Sequence, residues 1–76
     1  MQDFIASIAR QIVDNPDDVS VTLQSSDDVD RYELAVAQED LGKIIGRRGR
    51  TARALRLLLT AAATKSERRF ELEILE

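Results

Sequence analysis

The spacing of apolar residues switches from a helical period to a strand period, back to a helical one, and then to a strand period again. Phe4, Ile5, Ile8, Ala9, Ile12 and Val13 recur at i, i+3/i+4, i+7/i+8, which predicts a helix over residues 2–13. Asp14-Asn15-Pro16 stops it, because proline disfavours a helical conformation in the preceding residue and cannot continue the hydrogen-bond ladder. Val19, Val21 and Leu23 then alternate with Ser20, Thr22 and Gln24, and after a Ser25-Ser26-Asp27-Asp28 turn Tyr32, Leu34 and Val36 do the same. A period of two in neighbouring runs predicts an antiparallel hairpin with one buried face. Two helical segments follow, Glu39 to Ile45 and about Thr51 to Lys65. Phe70, Leu72 and Ile74 alternate with glutamates as a third strand.

The order is therefore α-β-β-α-α-β, an α+β fold with a three-stranded mixed sheet covered by helices on one face. A connection of roughly thirty residues is long enough to return the last strand parallel to the second. At 76 residues the chain reads as a single domain over 1–76, of a size that buries only about 60% of its unfolded surface. A large enclosed active site does not fit in it. Phe4, Tyr32 and Phe70 lie on the apolar faces of their elements, which assigns all three to core packing rather than base stacking.

The chain has no cysteine and no histidine, so thiol chemistry, imidazole catalysis and the usual zinc sites are excluded. A phosphate-binding G-x-x-x-x-G-K-[ST] run is also missing. The expectation is a protein that is not an enzyme, with no catalytic residue, no metal and no cofactor. Apolar stretches are too short to insert into a membrane, and Met1-Gln2-Asp3-Phe4 lacks a basic leader, so the expected location is the cytoplasm.

Net charge alone, -3, argues against a polyanion as partner, but its distribution argues for one. Between Leu41 and Ser66 lie Lys43, Arg47, Arg48, Arg50, Arg53, Arg56 and Lys65 with no acidic residue, while the rest of the chain has 4 basic residues against 14 acidic. A solvated helix face would mix both signs, so this segregation marks a basic patch on an acidic body.

Inside the patch, Gly46 and Gly49 bracket Arg47 and Arg48 where one helix ends and the next begins. Such a turn can present consecutive amides and a helix N-terminus to an anion, as a phosphodiester requires. Arg47 and Arg48 add planar, permanently charged groups at the same place, and Ile44, Ile45, Ala52 and Leu55 offer an apolar floor for bases. Four residues of G-x-x-G also describe a helix C-cap glycine in a tight helix–helix turn. Its setting between two helices, after a hairpin and before a third strand, favours the binding reading.

The run from Leu41 to Arg56, LGKIIGRRGRTARALR, resembles the core motif of the KH domain, and the element order is similar to its type II arrangement. The whole chain resembles the small bacterial single-KH-domain RNA-binding proteins of the KhpA kind. That resemblance implies a clamp for about four nucleotides of single-stranded RNA, with contacts from Lys43, Ile44, Ile45, Gly46, Arg47, Arg48, Gly49, Arg50, Thr51, Arg53 and Arg56. It implies a cytoplasmic RNA chaperone or post-transcriptional regulator that forms a homodimer or a heterodimer with a larger KH-containing protein. A link to cell shape and cell wall biogenesis is implied in the same way. The chain departs from the wider KH pattern at Ala52, where a bulky aliphatic is usual, which implies a shallower groove. The alternative is a KH-fold protein-interaction or dimerisation module that makes no direct use of RNA.

Overall fold

The first apolar row forms α1, Gln2–Ile12, in the computed structural model, which describes all 76 residues. Ile5, Ala6 and Ala9 are its buried stripe, and Val13, just past its end, is buried beside them. Phe4 is 47% exposed, contrary to the core role expected of it. The row Phe4–Ile8–Ile12 runs along the flank of the stripe rather than its centre, so its first member projects past the packed surface. After a 3-10 turn at Pro16–Asp18, β1, Ser20–Ser25, pairs antiparallel with β2, Val29–Ala35, in the register Val21↔Leu34 and Leu23↔Tyr32. Tyr32 and Leu34 are buried; Leu23 shares their face but is exposed, because it lies near the end of an edge strand.

A 3-10 turn at Gln38–Asp40 leads into α2, Leu41–Ile45, and the glycine turn leads into α3, Arg50–Ala63. On α3, Ala52, Leu55 and Leu59 point inward. Leu58 is 46% exposed, since the stripe at i, i+3, i+7 leaves it on the flank. The chain then returns as β3, Arg69–Ile74, parallel to β2 with Tyr32↔Leu72 and Leu34↔Ile74 in register. The sheet order is β1-β2-β3, and α1 and α3 cover one face of it. The architecture is the expected α-β-β-α-α-β, with a mixed three-stranded sheet. Ile5, Leu34, Ile44 and Leu59 are the largest wholly buried apolar side chains, and they bring both long helices, α2 and the central strand into one core.

Two polar knots close the structure at its ends. Asp40 is 1% exposed and accepts from the Asp14 amide (3.2 Å), the Asn15 amide (3.0 Å) and Asn15 Nδ2 (3.0 Å). Burial pushes its carboxyl up, yet the three donors and nearby Lys43 hold it below the ordinary carboxylate range. This knot ties the end of α1 to the start of α2 and so aims α2 at the turn that follows. At the other end Arg68 donates to Asp30 Oδ1 (2.7 Å), Ser26 O (2.6 Å), Asp27 O (3.0 Å) and Ser25 Oγ (3.1 Å), which binds the β1–β2 turn to the start of β3. Glu67, at φ 60, makes the reversal from α3 into that strand.

Candidate nucleic-acid interface

The turn between α2 and α3 owes its shape to three demands on the backbone, at Gly46, Arg48 and Gly49. Gly46 sits at φ 79, ψ 169, a conformation essentially restricted to glycine. A Cβ there would also lie 2.8 Å from the Thr51 amide nitrogen, so that side of Gly46 is closed by the first turn of α3. Arg48 (φ 59) and Gly49 (φ 74) then both adopt the left-handed conformation. For Arg48 this costs about 1–2 kcal/mol, and Arg53 Nη2 braces the position by donating to Arg48 O at 3.1 Å. Within the turn the Gly46 amide donates to Gly42 O, the Gly49 amide to Gly46 O and the Arg50 amide to Arg47 O. The amides of Arg47 and Arg48 have no partner in it, which leaves two adjacent donors for an anion.

A groove of about 360 Å³ runs from this turn between α3 and the end of β3, lined by Ile45, Gly49, Ala52, Arg53, Arg56, Ile74 and Glu76. Ala52 is buried at its floor, and Ile74 of β3 contributes an apolar wall. The site is thus assembled from three separate elements.

The residues expected at the interface divide into distinct groups. Arg47, Arg48, Arg50 and Arg56 are exposed, and none is in an ion pair or donates a side-chain hydrogen bond within the chain. Ile45, Gly49 and Arg53 line the groove, Arg53 with one donor already spent on the turn. Thr51 packs beneath Gly46. Ile44 is wholly buried and supports the groove only from within the core, as does Leu55. Lys43 is bound in an ion pair with Asp14. That hydrogen bond raises its pKa, against the opposing effect of desolvation, and it stands among Asp14, Glu39 and Asp40 rather than over the turn. Sequence reasoning missed Ile74 and Glu76. They reach the groove because β3 returns parallel to β2, and only their position at the end of the third strand pointed to it.

This architecture, with its glycine turn set between two helices beside the returning strand, defines a KH domain of the type II arrangement. A family model described as "KhpA/KhpB, KH domain" matches residues 2–74. The chain is 41% identical over its full length to the whole of the RNA-binding protein KhpA of Listeria monocytogenes. It is 48% identical to that of Treponema pallidum over 75 residues, 99% of this chain and 94% of the relative. With the Borreliella burgdorferi protein of the same name it shares 47% identity, across 97% of this chain and 90% of the relative. No solved structure gave a significant match. The chain belongs to the KhpA/KhpB family of KH domains. No helix in it is long and apolar enough to cross a membrane.

Proposed function

We propose that this protein binds single-stranded RNA, seating about four nucleotides of backbone on Gly46–Gly49 and laying bases in the adjoining groove. The observation that carries this reading is the state of the arginines. Arg47, Arg48, Arg50 and Arg56 surround a turn with two unpartnered amides, and no carboxylate in the chain is within ion-pair reach of them. A helix connector has no use for four uncompensated guanidinium groups, whereas a phosphodiester neutralises them. The name of the relatives, RNA-binding protein KhpA, supports the same ligand. A salt titration tests it: three to four phosphate contacts give a log–log slope of roughly -2 to -3 for a single strand. A slope near zero would remove the electrostatic clamp. Duplex RNA binds more weakly, because paired bases do not enter the groove.

By family resemblance, the role in the cell is that of a cytoplasmic RNA chaperone or post-transcriptional regulator, acting alone or with a larger KH-containing partner. Self-association has one observation of its own. Leu57 is 65% exposed on the face of α3 turned away from the core, and Leu58, on the adjoining flank, is 46% exposed. Pairing of this face with a second copy would bury both and link two RNA grooves, which raises avidity without new contacts. Light scattering is expected to give a dimer for the parent chain and a monomer for Leu58→Asp; a parent that stays monomeric at high concentration rules the pairing out.

A further inference from the structure

The larger hollow of the molecule is not at the glycine turn but next to it. A crevice of about 600 Å³ continues along the α3–β3 seam, and Arg56 lines both it and the groove. Leu59 and Thr60 of α3 form one side, Phe70, Leu72 and Glu73 of β3 the other, and Arg31 reaches in across Glu71. Its volume is in the range of clefts that hold small ligands.

Its β3 side is a free strand edge, because β3 is the last strand of the sheet. The Arg69 amide donates to Asp28 O and the Leu75 amide to Leu34 O, both toward β2. Alternation along a parallel strand then directs the amides and carbonyls of Phe70, Leu72 and Ile74 outward, unpaired. The charged groups differ in availability. Glu71 is engaged by Arg31 (3.5 Å) and Arg69 (3.6 Å), while Glu73 has no ion-pair or hydrogen-bond partner.

We infer that this crevice is a further base subsite, which takes the next nucleotide of a strand leaving the glycine-turn groove and favours guanine there. The inference rests on the RNA reading given above. Continuity through Arg56 supplies the path, and the guanidinium planes of Arg56 and Arg31 supply stacking surfaces. A lone carboxylate repels phosphate but accepts well from a base. Guanine alone presents two adjacent donors, N1–H and N2–H, on its Watson–Crick edge, and these match the two oxygens of Glu73.

Fluorescence anisotropy with oligouridylates from about four to about eight nucleotides long, and with one guanine moved along them, tests this directly. The parent is expected to gain at least about fivefold in affinity when a guanine follows the four-nucleotide core. Thr60→Trp, which fills the crevice from the exposed side of α3, should abolish that gain and leave the shortest oligonucleotide bound as before. The near-isosteric Glu73→Gln should erase the preference for guanine over uracil. Equal affinity for the short and extended strands, or a full gain retained by Thr60→Trp, overturns the subsite alone. Absence of binding by every oligonucleotide overturns the RNA reading together with it.

Discussion

Two arginine-bearing turns lie at opposite ends of this small sheet and use the same side chain in opposite ways. At the start of β3, Arg68 spends its guanidinium on Asp30, Ser25 and the carbonyls of Ser26 and Asp27. At the glycine turn, Arg47 and Arg48 spend theirs on nothing in the chain, and their own amides are free as well. The difference comes from the neighbours each turn is given. Arg68 faces a hairpin carrying Asp27, Asp28 and Asp30, whereas no acidic residue lies between Leu41 and Ser66. A satisfied guanidinium holds the fold, and an unsatisfied one is available to a ligand.

The most severe test of this contrast exchanges the readouts. Arg47→Asp with Arg48→Asp changes the turn by four charge units while keeping both glycines and every buried side chain. RNA affinity is expected to fall on the order of a hundredfold, with the melting temperature close to that of the parent, since exposed substitutions usually move stability by less than about 0.5 kcal/mol each. Arg68→Ala should do the reverse: a melting temperature lower by several degrees, and unchanged affinity in the folded fraction. If the double aspartate variant binds RNA as the parent does, the turn only connects helices, and the protein is an interaction module.

The same contrast separates the features that local sequence pattern reveals from those that depend on long-range contacts. Element order followed from apolar periodicity, because buried stripes such as Ile5–Ala9 and alternations such as Tyr32–Leu34 are local features of the chain. Flank positions did not follow: Phe4, Leu23 and Leu58 have the right spacing but lie where the covering layer ends. The two knots were not legible at all. Asp40 looks like an N-cap for α2, yet it makes no cap bond and instead accepts from residues 25 and 26 positions away. Lys43 belonged to the basic run by sequence, and the same long-range fold that brings Asp14 to it removes it from the patch. At the candidate interface the glycine turn and the run of arginines are visible in the sequence, while the β3 wall, Ile74 and Glu76, depends on topology.

The two glycines sharpen the comparison within the turn itself. Gly46 combines a glycine-only backbone conformation with a Cβ direction blocked by Thr51, whereas the Cβ direction at Gly49 meets only Arg53 Nη2, at 3.9 Å. Gly46→Ala should therefore cost about 2–4 kcal/mol, strain and overpacking together. Gly49→Ala pays only the left-handed backbone penalty, about 1–2 kcal/mol. Gly49→Asn should recover part of that loss, because asparagine tolerates this region, and Gly46→Asn should not. Denaturant melts of the four variants check the ranking. Equal losses at both sites would mean that Thr51 yields and the turn is softer than its geometry implies.

The smallest expected effect concerns the one carboxylate that lines the arginine groove. Glu76 stands there with Arg53 and Arg56, brought from the far end of the sequence by β3. It is exposed and forms no ion pair. Its charge therefore acts on an incoming phosphate through solvent, where screening over a Debye length of about 8 Å at physiological salt limits it to a fraction of a contact. Glu76→Gln removes the charge and keeps the shape, so RNA affinity should rise by about twofold at low salt, and the gain should fade as salt increases. The melting temperature should not move, because no partner is lost. A larger gain that persists in high salt would place the carboxylate directly against the RNA. A loss of affinity would instead mean that Glu76 accepts a hydrogen bond from a base in the groove, and that the groove reads sequence as well as holding backbone.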